Sequence, residues 1–499
     1  MLLKSLDDGA VFGFYQPFYL FASITFPAEL TAKPPEELRG VLTSEQLIGY
    51  ALARYTFLHE LRHFHDYFGT TAGISLFTAH LEQVRAFASF LEGVRGFGQE
   101  LAFPFNPSSF SGTPLEDLAK GLVRNWRIFL RSTTTFVEAF ERTIDVGHVP
   151  ADHVVFKPRE GNGPDVPTFP LQMGIGQHGR VDPVTVFYPI GLEVLLEGNA
   201  QALQRGLMEV ECSPALADQL VPLMHHQKLG ADDPMEALRA GAMPYNITDL
   251  LVSKFLRLKG HPRFQRSTIL QLTDQALSWS FMRPRSKPWE VPATFELVDI
   301  GRTFVGLLEA APLQNLVAGT VHYPDGLLDV YRTFLDAMSN TPLPEDIEYE
   351  GDLLSPIRMI ESIVMHNIVK PLLKARLETK HEVFYSVSKY LEKIPDLPSV
   401  PVFLEGGSVR FASYMQSPKA TDAWVKYCFL TSLMRELYAS QSSLNCFRAQ
   451  QLDPTDLNLC AAGHCNEHIA RGSCSNWFPG SGLPVCSFAN LLARVGLKP

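Results

Sequence analysis

Residues 55–71 read YTFLHELRHFHDYFGTT, and they extend an apolar pattern that begins at Leu47. Leu47, Ile48, Ala51, Leu52, Tyr55 and Leu58 recur at the three-and-four spacing of a helix face. Thr43 or Ser44 offers an N-cap and Gly69 a C′ stop, so the spacing predicts one long helix between them. Three histidines, a glutamate and an aspartate fall within eight positions of that helix, from His59 to Asp66.

His59-Glu60-Leu61-Arg62-His63 fits the H-E-x-x-H pattern. On a helix, positions i and i+4 differ by about 40° in direction and about 6 Å in rise, so two imidazoles can converge on one ion. Glu60 stands about 100° round from His59, where a carboxylate flanks the ion and takes a proton from water rather than ligating. His65 points to the other side of the helix from His63. Asp66 shares the histidine face but lies about 7 Å along the axis from the pair, which gives it a supporting role, orienting a ring or holding a loop. With fifteen histidines and at most 53 glutamates in 499 residues, on the order of 0.05 chance matches are expected. The competing reading is an amphipathic helix whose histidines are solvated or bonded to backbone.

Composition narrows the rest. A chain of 499 residues, 46% hydrophobic and 19% charged, can bury a sizeable core and divide into two or three domains. A net charge of −10 without a Lys/Arg-rich run argues against nucleic-acid binding. No charge-free apolar stretch of about 20 residues stands out, and no basic segment followed by an apolar run opens the sequence. A soluble, cytoplasmic protein without membrane contact is therefore expected. The odd count of seven cysteines, with Cys212 and Cys428 in apolar helical contexts, fits free thiols.

A catalytic zinc needs a third protein ligand. Glu197, in LLEGNAQA, is the candidate, with Glu193 one turn earlier on the same face. At these residues the chain resembles the zincin metallopeptidases of the gluzincin type, which carry H-E-x-x-H on one helix and a ligand glutamate, often in an E-x-x-A or E-G-x-A setting, on a later one. The resemblance covers at most the first 210 residues. It implies zinc held by His59, His63 and Glu197, Glu60 as general base, and an oxyanion stabiliser for which Tyr67, His178, Tyr188, His225 and His226 are candidates. Gly198 and Ala200 are expected to let the two helices approach closely.

The chain departs from the family in three respects. About 130 residues separate His63 from Glu197. Gln201 stands where many relatives brace a histidine with an aspartate. Arg62 places a charge where zinc peptidases rarely carry one.

The expected fold class is α+β and predominantly α-helical. Residues 1–260 form a zincin-like domain with a small β-sheet and a helical insertion at about 70–145. Residues 261–445 form a helical accessory domain, and 446–499 a cysteine-rich tail. Pro371 should kink or divide the helix PIRMIESIVMHNIVKPLLKARL. Cys460, Cys465, Cys474 and Cys486 with His464 and His468, and Cys446 before them, are wider spaced than structural zinc sites usually are. A second, structural zinc there is the less favoured reading of the tail. The functional expectation is a zinc-dependent peptidase acting on a protein or peptide, with a regulatory protein partner as a candidate. The alternatives are a catalytically degenerate binding scaffold and a zinc hydrolase of a non-peptide amide.

Overall fold

The computed structural model describes residues 13–16, 18–24, 33–99, 106–123, 144–145, 155–157, 166–177, 180–225, 243–258, 260, 266–279, 300–324, 326–349, 352–404, 409–410 and 412–438. The cysteine-rich tail, His178 and His226 lie outside these residues. Among the described residues the fold is mainly helical, with two small sheets.

The strands are β1 (Gly13–Gln16), β2 (Phe21–Ile24), β3 (Ile144–Asp145), β4 (Val155–Lys157), β5 (Val166–Gln177), β6 (Arg180–Pro189), β7 (Val402–Leu404) and β8 (Val409–Arg410). The longer helices of the first half are α1 (Ser44–Gly69), α2 (Thr71–Gly96), α3 (Leu192–Glu211), α4 (Pro214–His225) and α5 (Met243–Leu258). They are followed by α6 (Arg266–Trp279), α7 (Ile300–Ala310), α8 (Leu313–Ala318), α9 (Gly326–Met338), α10 (Ser355–Ile363), α11 (Lys370–Glu378), α12 (Glu382–Tyr385), α13 (Val387–Lys393) and α14 (Pro418–Tyr438).

Thr43 starts α1 with a full capping box: its hydroxyl accepts from the Gln46 amide, and the Gln46 side chain accepts from the Thr43 amide. Gly69 is the last helical residue, not the C′ stop expected for it. The turn is made by Thr70, whose extended backbone (φ −121°, ψ 153°) breaks the helix while its hydroxyl caps α2 through the Gly73 amide. Every residue from Leu58 to Gly69 is buried, so α1 is a central helix surrounded by protein and not an amphipathic surface helix. It packs against α2, α3, α4 and α11.

The two sheets are short. One has the order β1-β2-β7-β8, with β2 parallel to β7 through the pairing Ala22↔Val402. The other has the order β3-β6-β5-β4 and is antiparallel throughout. Its central hairpin, β5 and β6, runs in register Phe169↔Tyr188 and feeds directly through Ile190 and Gly191 into α3.

Elements on both sides of residue 260 share one core: α6 packs on α2 and α3, α11 on α1, and α14 on α2. Trp424 Nε1 of α14 donates to the Tyr19 carbonyl at 2.8 Å, so the chain's beginning is tied to its late helices. Helix α2, expected within an insertion, lies in this shared core. Between α10 and α11 a π-helical stretch, Val364–Val369, precedes Pro371. The wider turn sits where the proline's missing N–H and bulky ring would strain a regular helix. Cys212 and Cys428 are free thiols. No described helix is long and apolar enough to cross a membrane.

Candidate metal centre

Helix α1 presents His59 and His63 one turn apart, and α3 brings Glu197 against them. His59 Nε2 lies 3.0 Å from His63 Nε2. Glu197 Oε2 lies 3.1 Å from the first and 3.2 Å from the second. The two rings stand edge to face, at 87°. Three ligand-type atoms thus form a near-equilateral triangle.

With metal–ligand bonds of about 2.0–2.1 Å, tetrahedral coordination sets ligand atoms about 3.3 Å apart. The observed spacings are close to that value. Two imidazole nitrogens and a carboxylate oxygen at this range share protons when no ion is between them and, deprotonated, can converge on one cation. Among the described residues these three form the group that can hold a metal ion. The donor set suits borderline divalent ions, zinc among them. Both histidine side chains are 7% exposed and that of Glu197 is 22% exposed, so solvent reaches the triad from the α3 side.

Electrostatics separates the two glutamates. Burial alone would raise the Glu197 carboxyl, but the His63 and His59 imidazoles hold it far below the usual range, as an anion. Burial pushes Glu60 up to about 8; His59 opposes this and Glu197 adds to it. Glu60 Oε2 is buried without a hydrogen-bond partner among the described residues. One carboxylate is therefore fixed in charge, and the other is poised to exchange a proton near neutral pH.

Arg62 does not enter the triad. It is fully buried on another face of α1, with Nε donating to Asp66 at 3.0 Å and a terminal nitrogen donating to the Phe384 carbonyl at 2.6 Å. Its guanidinium lies over the Phe384 and Tyr390 rings. The residue that looked anomalous within the motif thus anchors α1 to α12 and α13. Asp66 completes the arrangement by accepting from Asn199 Nδ2 at 2.7 Å, while Thr273 donates to Asn199 Oδ1 at 2.9 Å. Asp66 therefore joins α1 to α3.

The other sequence candidates fall as follows. His65 faces away from the pair, its Nδ1 accepting from the Tyr390 hydroxyl and its Nε2 donating to the Pro398 carbonyl, each at 2.8 Å. Gln201 is buried on α3, one turn beyond Glu197. The side chains of Glu193, Tyr188 and His225 lie outside the described ones. Tyr67 is buried edge-on against Phe18 and Phe68, with burial raising its hydroxyl well above the ordinary range.

The close approach made by Gly198 is to α5, not to α1. A Cβ at that position would overlap the Thr248 side chain. The residues that sequence reasoning missed are Asn199 and Thr273, whose partners lie 133 and 74 positions away. A short polar residue two positions after Glu197 was the sole signal for Asn199. No known family, curated protein or solved structure matches the chain.

Proposed function

We propose that this protein is a metal-dependent hydrolase of the gluzincin type, with His59, His63 and Glu197 as ligands and Glu60 as the proton carrier. The supporting observation is the convergence of His59 Nε2, His63 Nε2 and Glu197 Oε2 within 3.0–3.2 Å of one another. A peptide bond is the preferred substrate bond, by the resemblance of HELRH and EGNA to zinc peptidases.

A divalent ion such as zinc, when bound, supplies Lewis acidity toward a scissile carbonyl and acidifies water. The chain's own residues supply the rest. Glu197 contributes the negative charge that imidazole ligands do not bring. Glu60 flanks the triad in a buried setting that raises its proton affinity to about 8, so it can take a proton from attacking water and return it to the leaving amine. Arg62 adds no stray positive charge beside Glu60, because Asp66 pairs with it.

The first test is the metal content of purified protein, by elemental mass spectrometry, beside a His59→Ala/His63→Ala variant. One metal per chain, lost in the variant, supports the reading; a wild-type chain that takes up no metal when zinc is added removes it. Product identification by mass spectrometry then separates proteolysis from hydrolysis of another amide.

A further inference from the structure

We propose that Asn199 is the positioning residue of this centre: it sets the distance and register between the helix of His59 and His63 and the helix of Glu197. The inference rests on the metal-binding reading of the triad. Asn199 is fully buried, two residues after Glu197 on α3. Its amide nitrogen donates to Asp66 Oδ2 at 2.7 Å, and Asp66 lies three residues after His63 on α1. The bond therefore bridges the two helices within a turn of the ligands on each.

The chemistry requires an asparagine. Asp66 is an acceptor that already takes the Arg62 guanidinium, so its second partner must donate. Thr273 shares its one hydroxyl proton between the Ile269 carbonyl in α6 at 2.7 Å and Asn199 Oδ1 at 2.9 Å, so the same side chain also accepts. A carboxamide does both at short reach. An aspartate would set two carboxylates against each other, and an alanine would leave Asp66 short of a donor and release the tie to Thr273.

The bridge is anchored on each side. Asp66 is gripped by Arg62, which also donates to the Phe384 carbonyl. On α3, Gly198 is seated against Thr248 of α5, so the helix has a fixed wall on one flank and the Asn199 bond on another. Glu197 has the most exposed side chain of the triad, and the buried bridge lies two residues from it.

The test is titration of the full-length chain with zinc against a competing chelator, and with cobalt(II) read by its visible absorption. Asn199→Ala should weaken zinc binding 10–100-fold, the range typical of residues that orient ligands, and should change the cobalt spectrum. Leu207→Ala, a buried change on the same helix two turns beyond Asn199, should lower Tm while leaving the spectrum as in wild type. The exchanged pair Asp66→Asn/Asn199→Asp keeps a donor facing an acceptor and a negative charge near Arg62, so it should recover most of the lost affinity. Thr273→Val, which removes only the hydroxyl that orients the amide, should weaken zinc binding several-fold even if Asn199→Ala fails to fold.

Wild-type affinity and spectrum in Asn199→Ala, or in a folded Thr273→Val, would overturn the inference and leave the proposed function standing. An exchanged pair no better than Asp66→Asn alone would also overturn it. If wild type binds neither metal, the functional reading fails first and this inference with it.

Discussion

Arg376 and Asp274 form a two-pronged ion pair with no exposed surface on either side chain, both N–O distances being 2.8 Å. The pair joins α11 to α6. Arg376 Nε also donates to the Gly69 carbonyl at the end of α1, and the guanidinium lies 3.9 Å from the Phe384 ring centre. Tyr323 donates to Asp274 Oδ2 at 2.7 Å. Arg376 pulls the Asp274 carboxyl below its ordinary range despite burial, so the pair is ionised. Together with Arg62–Asp66, it is one of two buried Arg–Asp pairs that contact the histidine helix.

Removing one partner of such a pair strands a buried charge, which costs about 3–5 kcal/mol, whereas removing both costs less. Arg376→Leu is therefore expected to lower unfolding free energy by that amount in urea titration. Arg376→Leu/Asp274→Leu should be more stable than Arg376→Leu alone. A single variant within about 1 kcal/mol of wild type would show that the pair does not hold α11 onto the core.

His381 adds a pH dependence. It sits in a left-handed conformation (φ 70°), stacks on Tyr323 at 4.6 Å, and accepts from Arg376 through Nδ1 at 2.9 Å. Burial, and then the Arg376 charge, push its imidazole down to about 3, with Asp274 opposing. The unfolded chain binds a proton there near pH 6.5 and the folded chain does not, so stability is full above pH 6.5 and falls as pH drops toward 3. The loss at pH 4 is about 3 kcal/mol from this one group. His381→Asn tolerates the left-handed backbone and carries no titrating proton. Its pH–stability curve between 7 and 4 should be flatter than that of wild type by about that amount; parallel curves would assign the acid sensitivity elsewhere.

How much of this was legible depended on distance along the chain. The capping box at Thr43, the helix carrying HELRH, the strands leading into LLEGNA and the break at Pro371 all follow from neighbours within a few residues. The burial of α1 on every side did not. The sequence turned His65 away from the pair, gave Asp66 a supporting role and left Arg62 as an unusual charge, but their partners Tyr390, Asn199 and Phe384 come from elements more than a hundred positions away. The parallel pairing of β2 with β7 joins residues near 22 and 402, which no local pattern announces. Glu197 could be picked out because the E-G-x-A setting is a short motif. Asn199 was missed because bridging two helices has none.

The contact between Gly198 and α5 makes a sharp prediction. An alanine Cβ at Gly198 would overlap Thr248 Oγ1 and Cγ2, and a buried helix pair has little room to spread. Gly198→Ala should cost about 1–3 kcal/mol in unfolding free energy. Adding Thr248→Ala, which removes two of the clashing atoms, should recover part of that loss, so the double variant is more stable than additivity predicts. Strict additivity would mean that the two residues do not touch in solution.

Glu60 gives the prediction that separates binding from chemistry. Its Oε2 is buried without a partner among the described residues, and its carboxyl is held up to about 8 beside the triad, features of a group that moves a proton. Glu60→Gln keeps the shape and removes the basicity. It should retain the metal at wild-type stoichiometry by elemental analysis while hydrolysis falls about 10²–10⁴-fold. Glu197→Gln should do the reverse in order of cause, weakening metal binding first and losing activity as a consequence, with partial recovery at high added zinc. Equal hydrolysis by Glu60→Gln and wild type would remove Glu60 from the mechanism and leave a metal site with another use.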